Sequence, residues 1–122
     1  MGVSKKTLVL GASLKNWRTS HDAVSRLAKY GHPVTAVGLQ EGKIGEVNVT
    51  KELPEGQDFD TVTLYLNAKN QKKYYDYILS LKPKRLIFSP GAENPELAAL
   101  AEQKGIETLE ACTLTMLAVG LY

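Results

Sequence analysis

The sequence has almost no cysteine: Cys112 is alone among 122 residues. An internal disulfide is therefore excluded, and a reducing compartment is the natural setting. Charge of one sign is equally scarce. With 15 Lys and Arg against 13 Asp and Glu, the net charge is +2, too small for the footprint of a nucleic-acid binder. A mild preference for anionic ligands is all it allows. No stretch approaches the roughly 20 apolar residues of a membrane span, so no membrane partner is expected. Nor does an apolar run of signal-peptide length follow Lys5 and Lys6, and a cytoplasmic protein is expected. Gly2 offers a weak myristoylation motif, with Lys6 standing where that motif wants Ser or Thr. The 2 histidines and the cysteine are far apart and show no metal-ligand spacing, so no residue is assigned to a metal.

What is present has the length of one domain and an ordinary globular composition, 43% hydrophobic and 23% charged, which suffices for a core without staples. Five short apolar runs read as strands: Thr7–Leu10, Pro33–Val37, Thr61–Leu66, Arg85–Phe88 and Ile106–Leu109. Helical patterns separate them. The first opens at Thr19-Ser20-His21-Asp22, where Thr19 and Asp22 have capping-box spacing, and stops at Gly31. A second runs from about Asn67 or Asn70 to Leu81, ended by Lys82-Pro83. A third starts at Asn94-Pro95-Glu96, with Asn as N-cap, Pro at the first helical position and an acid in the first turn. Gly105 closes it. A short apolar helix over about Thr113–Val119 follows. Between Leu39 and Asp60 the pattern is irregular, a crossover without a full helix and with one extra strand near Glu46–Val49.

Alternating strands and helices predict a Rossmann-like α/β fold, a three-layer αβα sandwich around a five-stranded, mainly parallel sheet. Ligands of such sheets bind outside the carboxyl ends of the strands, where the strand order reverses. The segments at that edge are Gly11–Ser20, Gly38–Gln40, Asn67–Asn70, Ser89–Asn94 and Glu110–Thr113. In the first, Gly11 and Ala12 allow a tight turn and close approach, and Ser13 adds a hydroxyl. The helix opening near Ser20 points free N–H groups at the same place, and Arg18 supplies a forked charged donor for phosphate. A dinucleotide fingerprint would need glycine at Ser13 and Asn16, and a ribose-binding acid where Gly38 stands. Both departures count against NAD.

Other residues carry weaker signals. Cys112 and His21 both approach the site edge, but a lone cysteine is more often a small buried hydrophobe than half of a nucleophile pair. Lys69, Lys72 and Lys73 read mainly as a solvated face. Trp17 stacks on a base or pins its loop. Tyr74, Tyr75 and Tyr77 read as helix packing, and His32, at the opposite sheet edge, as structural.

Thr7-Leu8-Val9-Leu10-Gly11-Ala12-Ser13, then Arg18-Thr19-Ser20 and Tyr30-Gly31-His32-Pro33-Val34, resemble a CoA-binding domain of the small standalone type. The same domain type forms the N-terminal part of succinyl-CoA synthetase α subunits. The resemblance continues through Ile44-Gly45-Glu46-Val47, Leu53-Pro54-Glu55, Asp60-Thr61-Val62 and Ala101-Glu102-Gln103-Lys104-Gly105-Ile106, so it covers nearly the whole chain. It implies coenzyme A or acyl-CoA held over the strand ends, with Gly11, Ala12, Ser13, Arg18 and Ser20 near its phosphates. Gly38, Leu39, Gln40, Asn67, Pro90 and Gly91 complete the expected site. Two departures fall within it. Val37-Gly38-Leu39 replaces the family's Val-Asn-Pro, and Ser89-Pro90-Gly91 replaces a Gln-x-Gly-like turn, so a modified CoA or another nucleotide stays open.

No catalytic residue is assigned, since the second domain of the larger ligases, with its phosphorylated histidine, has no counterpart here. The expected role is a non-catalytic carrier, sensor or regulatory module with a small-molecule nucleotide cofactor. A small NAD(P)-binding oxidoreductase is one alternative. Another is an interaction protein with a vestigial pocket, working through the apolar segment Met116–Tyr122. That segment must pack on its own sheet or against another subunit, and a homodimer is expected.

Overall fold

The computed structural model describes residues 4–122, so the Gly2 myristoylation motif lies outside the described residues. In chain order the elements are β1 (Thr7–Ala12), α1 (Thr19–Lys29), β2 (Val34–Gly38), β3 (Gly42–Ile44), β4 (Val47–Thr50) and β5 (Thr61–Leu64). After them come α2 (Ala68–Gln71), a 3₁₀ turn (Lys72–Tyr74), α3 (Tyr75–Leu81), β6 (Arg85–Phe88), α4 (Pro95–Gln103), β7 (Glu107–Glu110) and α5 (Thr113–Ala118).

The strands form a single sheet of 7, in the order β3-β4-β2-β1-β5-β6-β7. The expectation of five strands is corrected by the β3–β4 hairpin, which fills the irregular crossover. β3 runs antiparallel to β4, whereas every other neighbouring pair is parallel. β4 returns beside β2 in parallel register, Ala36 opposite Val49. A three-residue strand with only Ile44 buried carries no periodic signal, which is why β3 escapes a reading of the sequence.

Each long strand sends alternate residues to opposite faces, because the side-chain period of a strand is two. Leu8 and Leu10 join Val62, Leu64, Leu86 and Phe88 on one face, where Ile78 of α3 and Leu97 and Ala101 of α4 cover them. Val9, Ala36 and Val49 meet Val24 and Leu27 of α1 and Leu117 of α5 on the other. Both faces are thus dry, and each fully buried Leu, Val, Ile or Phe contributes about 1.5–3 kcal/mol of transfer energy.

Local chemistry sets the helix ends. Asn94 caps α4, its side-chain oxygen accepting from Leu97 N–H at 3.1 Å. Its amide donates to Gln71 Oε1 at 2.9 Å and to the Tyr75 hydroxyl at 2.8 Å, tying α4 to the helix before it. α1 ends in a Schellman motif, with His32 N–H on Leu27 C=O at 3.0 Å and Gly31 N–H on Ala28 C=O at 3.0 Å. Two expectations need correction. The helix expected from Asn67 or Asn70 to Leu81 is broken into α2, the 3₁₀ turn and α3. At α1 the N-cap is Arg18, which makes no side-chain cap bond, so the Thr19/Asp22 capping box does not form. Thr19 already has helical geometry, one residue too late to cap. α5 ends in the same Schellman pattern as α1, Leu121 N–H on Met116 C=O at 2.8 Å and Gly120 N–H on Leu117 C=O at 3.4 Å. Beyond it Tyr122 docks on the chain's own sheet, while Val119 and Leu121 stay exposed.

Candidate functional site

The strand order reverses at β1, with β2 on one side and β5 on the other. Over the carboxyl ends of these strands opens a cleft of about 860 Å³. Its floor is made by the bulged end of β1, which corrects the tight turn expected at Gly11 and Ala12. Leu10 pairs with Val37, and after a bulge at Gly11, Ala12 pairs with Gly38. Gly11 has φ +99°, and a Cβ there would come within 3.0 Å of the Tyr65 main chain. Both its conformation and the closeness of β5 demand glycine. Gly38 is held by contact alone: a Cβ would stand 2.1 Å from the Ala12 carbonyl oxygen.

Above the bulge, Ser13 N–H donates to the buried Ser20 hydroxyl at 3.1 Å, and the Ser13 hydroxyl oxygen accepts from Lys15 N–H at 3.1 Å. These bonds fold the loop back onto the start of α1. Each hydroxyl still has its proton to donate outward. At the first turn of α1, the N–H groups of Thr19 and Ser20 have no acceptor among the described residues. With the positive end of the helix dipole behind them, they face the cleft. Arg18 and Lys15 stand exposed at the rim, and among the described residues no carboxylate side chain lines the cleft.

Of the eleven site residues read from the sequence, ten line this cleft: Gly11, Ala12, Ser13, Arg18, Ser20, Gly38, Leu39, Gln40, Asn67 and Pro90. Gly91 does not; its N–H turns to the Glu93 carboxylate at 3.0 Å. Lys15, Asn70, Tyr74 and Cys112 also line it, and none of them is among the eleven. Lys15 carries a usable signal, a second cation beside Arg18 in the loop between β1 and α1. Tyr74 does not, since its place on a 3₁₀ turn also packs it against the core.

Cys112 is the N-cap residue of α5. Burial pushes its thiol pKa up, but the N–H and hydroxyl of Thr115 and the N–H of Leu114 outweigh burial and leave it below the ordinary value. His21 is not its partner in this arrangement: His21 lies outside the cleft wall, with Nδ1 buried and unpaired among the described residues. Beside Cys112, the Tyr65 hydroxyl faces Ser89, Thr113 and Thr63, and burial raises its pKa. Among the described residues no group of three His, Cys, Asp or Glu side chains is placed to hold a metal ion. No helix there is long and apolar enough to cross a membrane.

Comparison with known proteins finds the same fold in solved structures. One solved structure, of an uncharacterised protein, is 45% identical, with a TM-score of 0.95 over 99% of this chain and 100% of that one. A Thermus thermophilus protein is 20% identical with a TM-score of 0.83, covering 97% of this chain and 91% of its own. A hypothetical protein from Pyrococcus horikoshii OT3 is 19% identical with a TM-score of 0.81, covering 92% and 80%. The last two share the fold alone. No curated protein matches the chain. The family model of the CoA binding domain matches residues 5–118, which is nearly every described element, and the chain belongs to the CoA binding domain family.

Proposed function

We propose that this protein binds coenzyme A or a short acyl-CoA in the cleft over β1, β2 and β5, as a carrier, sensor or regulatory module without chemistry of its own. One observation carries the reading. The cleft wall joins two cations, Lys15 and Arg18, to the open N–H groups of α1 and, among the described residues, contains no carboxylate side chain. An anionic, phosphate-bearing ligand suits that wall, and a cleft of this size suits a cofactor. The exposed side chain of Leu39 and the half-buried Leu66 give the cleft an apolar surface for an uncharged arm. Family membership supports the choice of CoA.

The NAD(P) alternative fares worse for a steric reason. The acid that would hold the ribose hydroxyls belongs at Gly38, where the Ala12 carbonyl leaves no room for a side chain. The single cysteine favours a cytoplasmic setting. A homodimer through exposed Val119 and Leu121 belongs to the same reading; light scattering should then give twice 13.4 kDa. A monomer mass at high concentration removes it.

The deciding experiment is thermal melting of ligand-stripped protein with CoA, acetyl-CoA, NAD, NADP or ATP. A ligand at about 100 times its Kd adds about 2.7 kcal/mol, enough to raise Tm by several degrees. CoA or acetyl-CoA should give the largest shift. A response to NAD alone would overturn the reading in favour of the oxidoreductase.

A further inference from the structure

On the opposite edge of the sheet, at the amino ends of the strands, Tyr122 sits in a polar slot. Its hydroxyl pairs with Thr7 Oγ1 at 2.6 Å, and the Arg85 guanidinium lies 4.3 Å from the ring centre. The imidazole of His32 meets the ring edge-on at 4.9 Å. The Lys5 ammonium donates to the main-chain oxygen of Tyr122, while Lys5 N–H donates to His32 Nδ1 at 2.9 Å. His32 must therefore keep a lone pair on Nδ1, which only the neutral ring has. Arg85 is only 8% exposed, donates through Nε to Thr61 at 2.7 Å, and leaves Nη2 without a partner among the described residues.

This slot reaches the ligand cleft through α5. Only Thr113 and Leu117 of that six-residue helix are buried, so its own packing is thin. Its first turn stands at the cleft, with Cys112 on the wall and the Thr113 hydroxyl on Thr63 at 3.0 Å. Its last turn runs through the Gly120 and Leu121 bonds directly into Tyr122. We propose that Tyr122 and its slot form a proton-operated latch, which holds α5 and the Cys112 wall in place and lets go when His32 is protonated.

Among the described residues four groups face His32: Lys5 before β1, Asp60 before β5, Arg85 on β6, and Tyr122 itself. A proton on the ring removes the acceptor for Lys5 N–H and adds a third cation beside Lys5 and Arg85. Asp60 alone opposes this, and its carboxylate already accepts from the Thr61 hydroxyl at 2.7 Å. In agreement, burial, Lys5 and Arg85 hold His32 below its ordinary 6.5 against the pull of Asp60. The group binds its proton less readily folded than unfolded. The latch is thus intact above about pH 6.5 and weakens as pH falls towards the folded pKa.

The test needs no ligand, so its outcome is separate from that of CoA binding. Cys112 is the sole cysteine, and its alkylation by iodoacetamide reports the state of the α5 start. Rates are divided by the thiolate fraction measured for each variant at the same pH, because release of the α5 start also removes the Thr115 and Leu114 contacts that lower the thiol pKa. At about pH 7.5, Tyr122→Ala should label roughly tenfold faster than wild type, and His32→Gln, whose amide oxygen still accepts from Lys5 N–H, at the wild-type rate. At about pH 5.5 the wild type should approach Tyr122→Ala while His32→Gln stays slow. Equal rates for wild type and His32→Gln at the lower pH would overturn the proposal, and so would a folded Tyr122→Ala that labels like wild type at both. If Tyr122→Ala fails to fold, the His32→Gln comparison decides alone.

Discussion

Ala12 and Gly38 face each other across the β1–β2 bulge so closely that a methyl group on Gly38 would begin 2.1 Å from the Ala12 carbonyl oxygen. The neighbour is main chain, so it cannot swing aside as a side chain would. Gly38→Ala should therefore destabilise the protein by about 3 kcal/mol, the upper part of the range for overpacking. Tm should fall by roughly 10 °C, read by calorimetry. A loss of only a degree or two would mean that β2 slides freely against β1.

Arg18→Ala should separate binding from stability. The side chain is exposed and caps nothing, so unfolding free energy should change by less than about 0.5 kcal/mol. A lost charged hydrogen bond to phosphate, about 1.5–3 kcal/mol, should weaken CoA binding by about 10- to 150-fold in calorimetric titration. If Arg18 reads the 3′-phosphate, the effect shrinks for dephospho-CoA; if it reads the pyrophosphate, it persists. Unchanged affinity in the folded variant counts against the proposed site.

Asn94→Ala should behave in the opposite way, costing stability with little effect on the cleft. The substitution removes an N-cap worth about 1 kcal/mol. It also strips Gln71, fully buried, of the donor to its side-chain oxygen, a further 1–3 kcal/mol or so. Chemical denaturation should show a total loss of about 2–4 kcal/mol, and a loss below about 1 kcal/mol would show that water replaces the network.

Cys112→Ser should leave fold and CoA affinity nearly unchanged, because the thiol is a wall residue with no base beside it. Thr115→Val tests what lowers its pKa. Without the Thr115 hydroxyl the thiol pKa should rise, the thiolate fraction at about pH 7.5 should fall, and alkylation should slow by roughly 3- to 10-fold. An unchanged rate would assign the lowering to the main-chain N–H groups alone.

What could be read from the sequence was local. Asn94-Pro95-Glu96 announces a helix start and Gly31 a helix end, because both act through bonds to residues three to five positions away. The break at Gly11 is legible for the same reason, since strand, glycine and helix follow one another directly, but it is a bulge within β1, and the strand runs on to Ala12 before it turns. Cys112 is legible at the site edge from its place just past the last strand, whereas Tyr74 reaches the cleft wall by topology, which no neighbour in sequence reveals. Gly91 belongs to the expected site through the Ser89-Pro90-Gly91 turn, but its N–H turns to the Glu93 carboxylate and it does not line the cleft. The segment up to Tyr122 was recognised as docked, while the choice of its own sheet depended on Thr7, His32 and Arg85, remote in sequence.

The hairpin strand β3 has a consequence beyond filling the crossover. A parallel sheet with an open, apolar flank is a template on which another chain can add a strand. Here one flank is β3, three residues long, with Gly42 and Lys43 exposed and only Ile44 turned inward. The other is β7, with Glu107 and Glu110 exposed at its two ends. A short strand bearing a lysine and a strand bracketed by glutamates both resist edge-to-edge pairing. The inner strands, apolar on both faces and strongly β-forming, are thereby flanked on each side by an edge that disfavours the addition of a further strand.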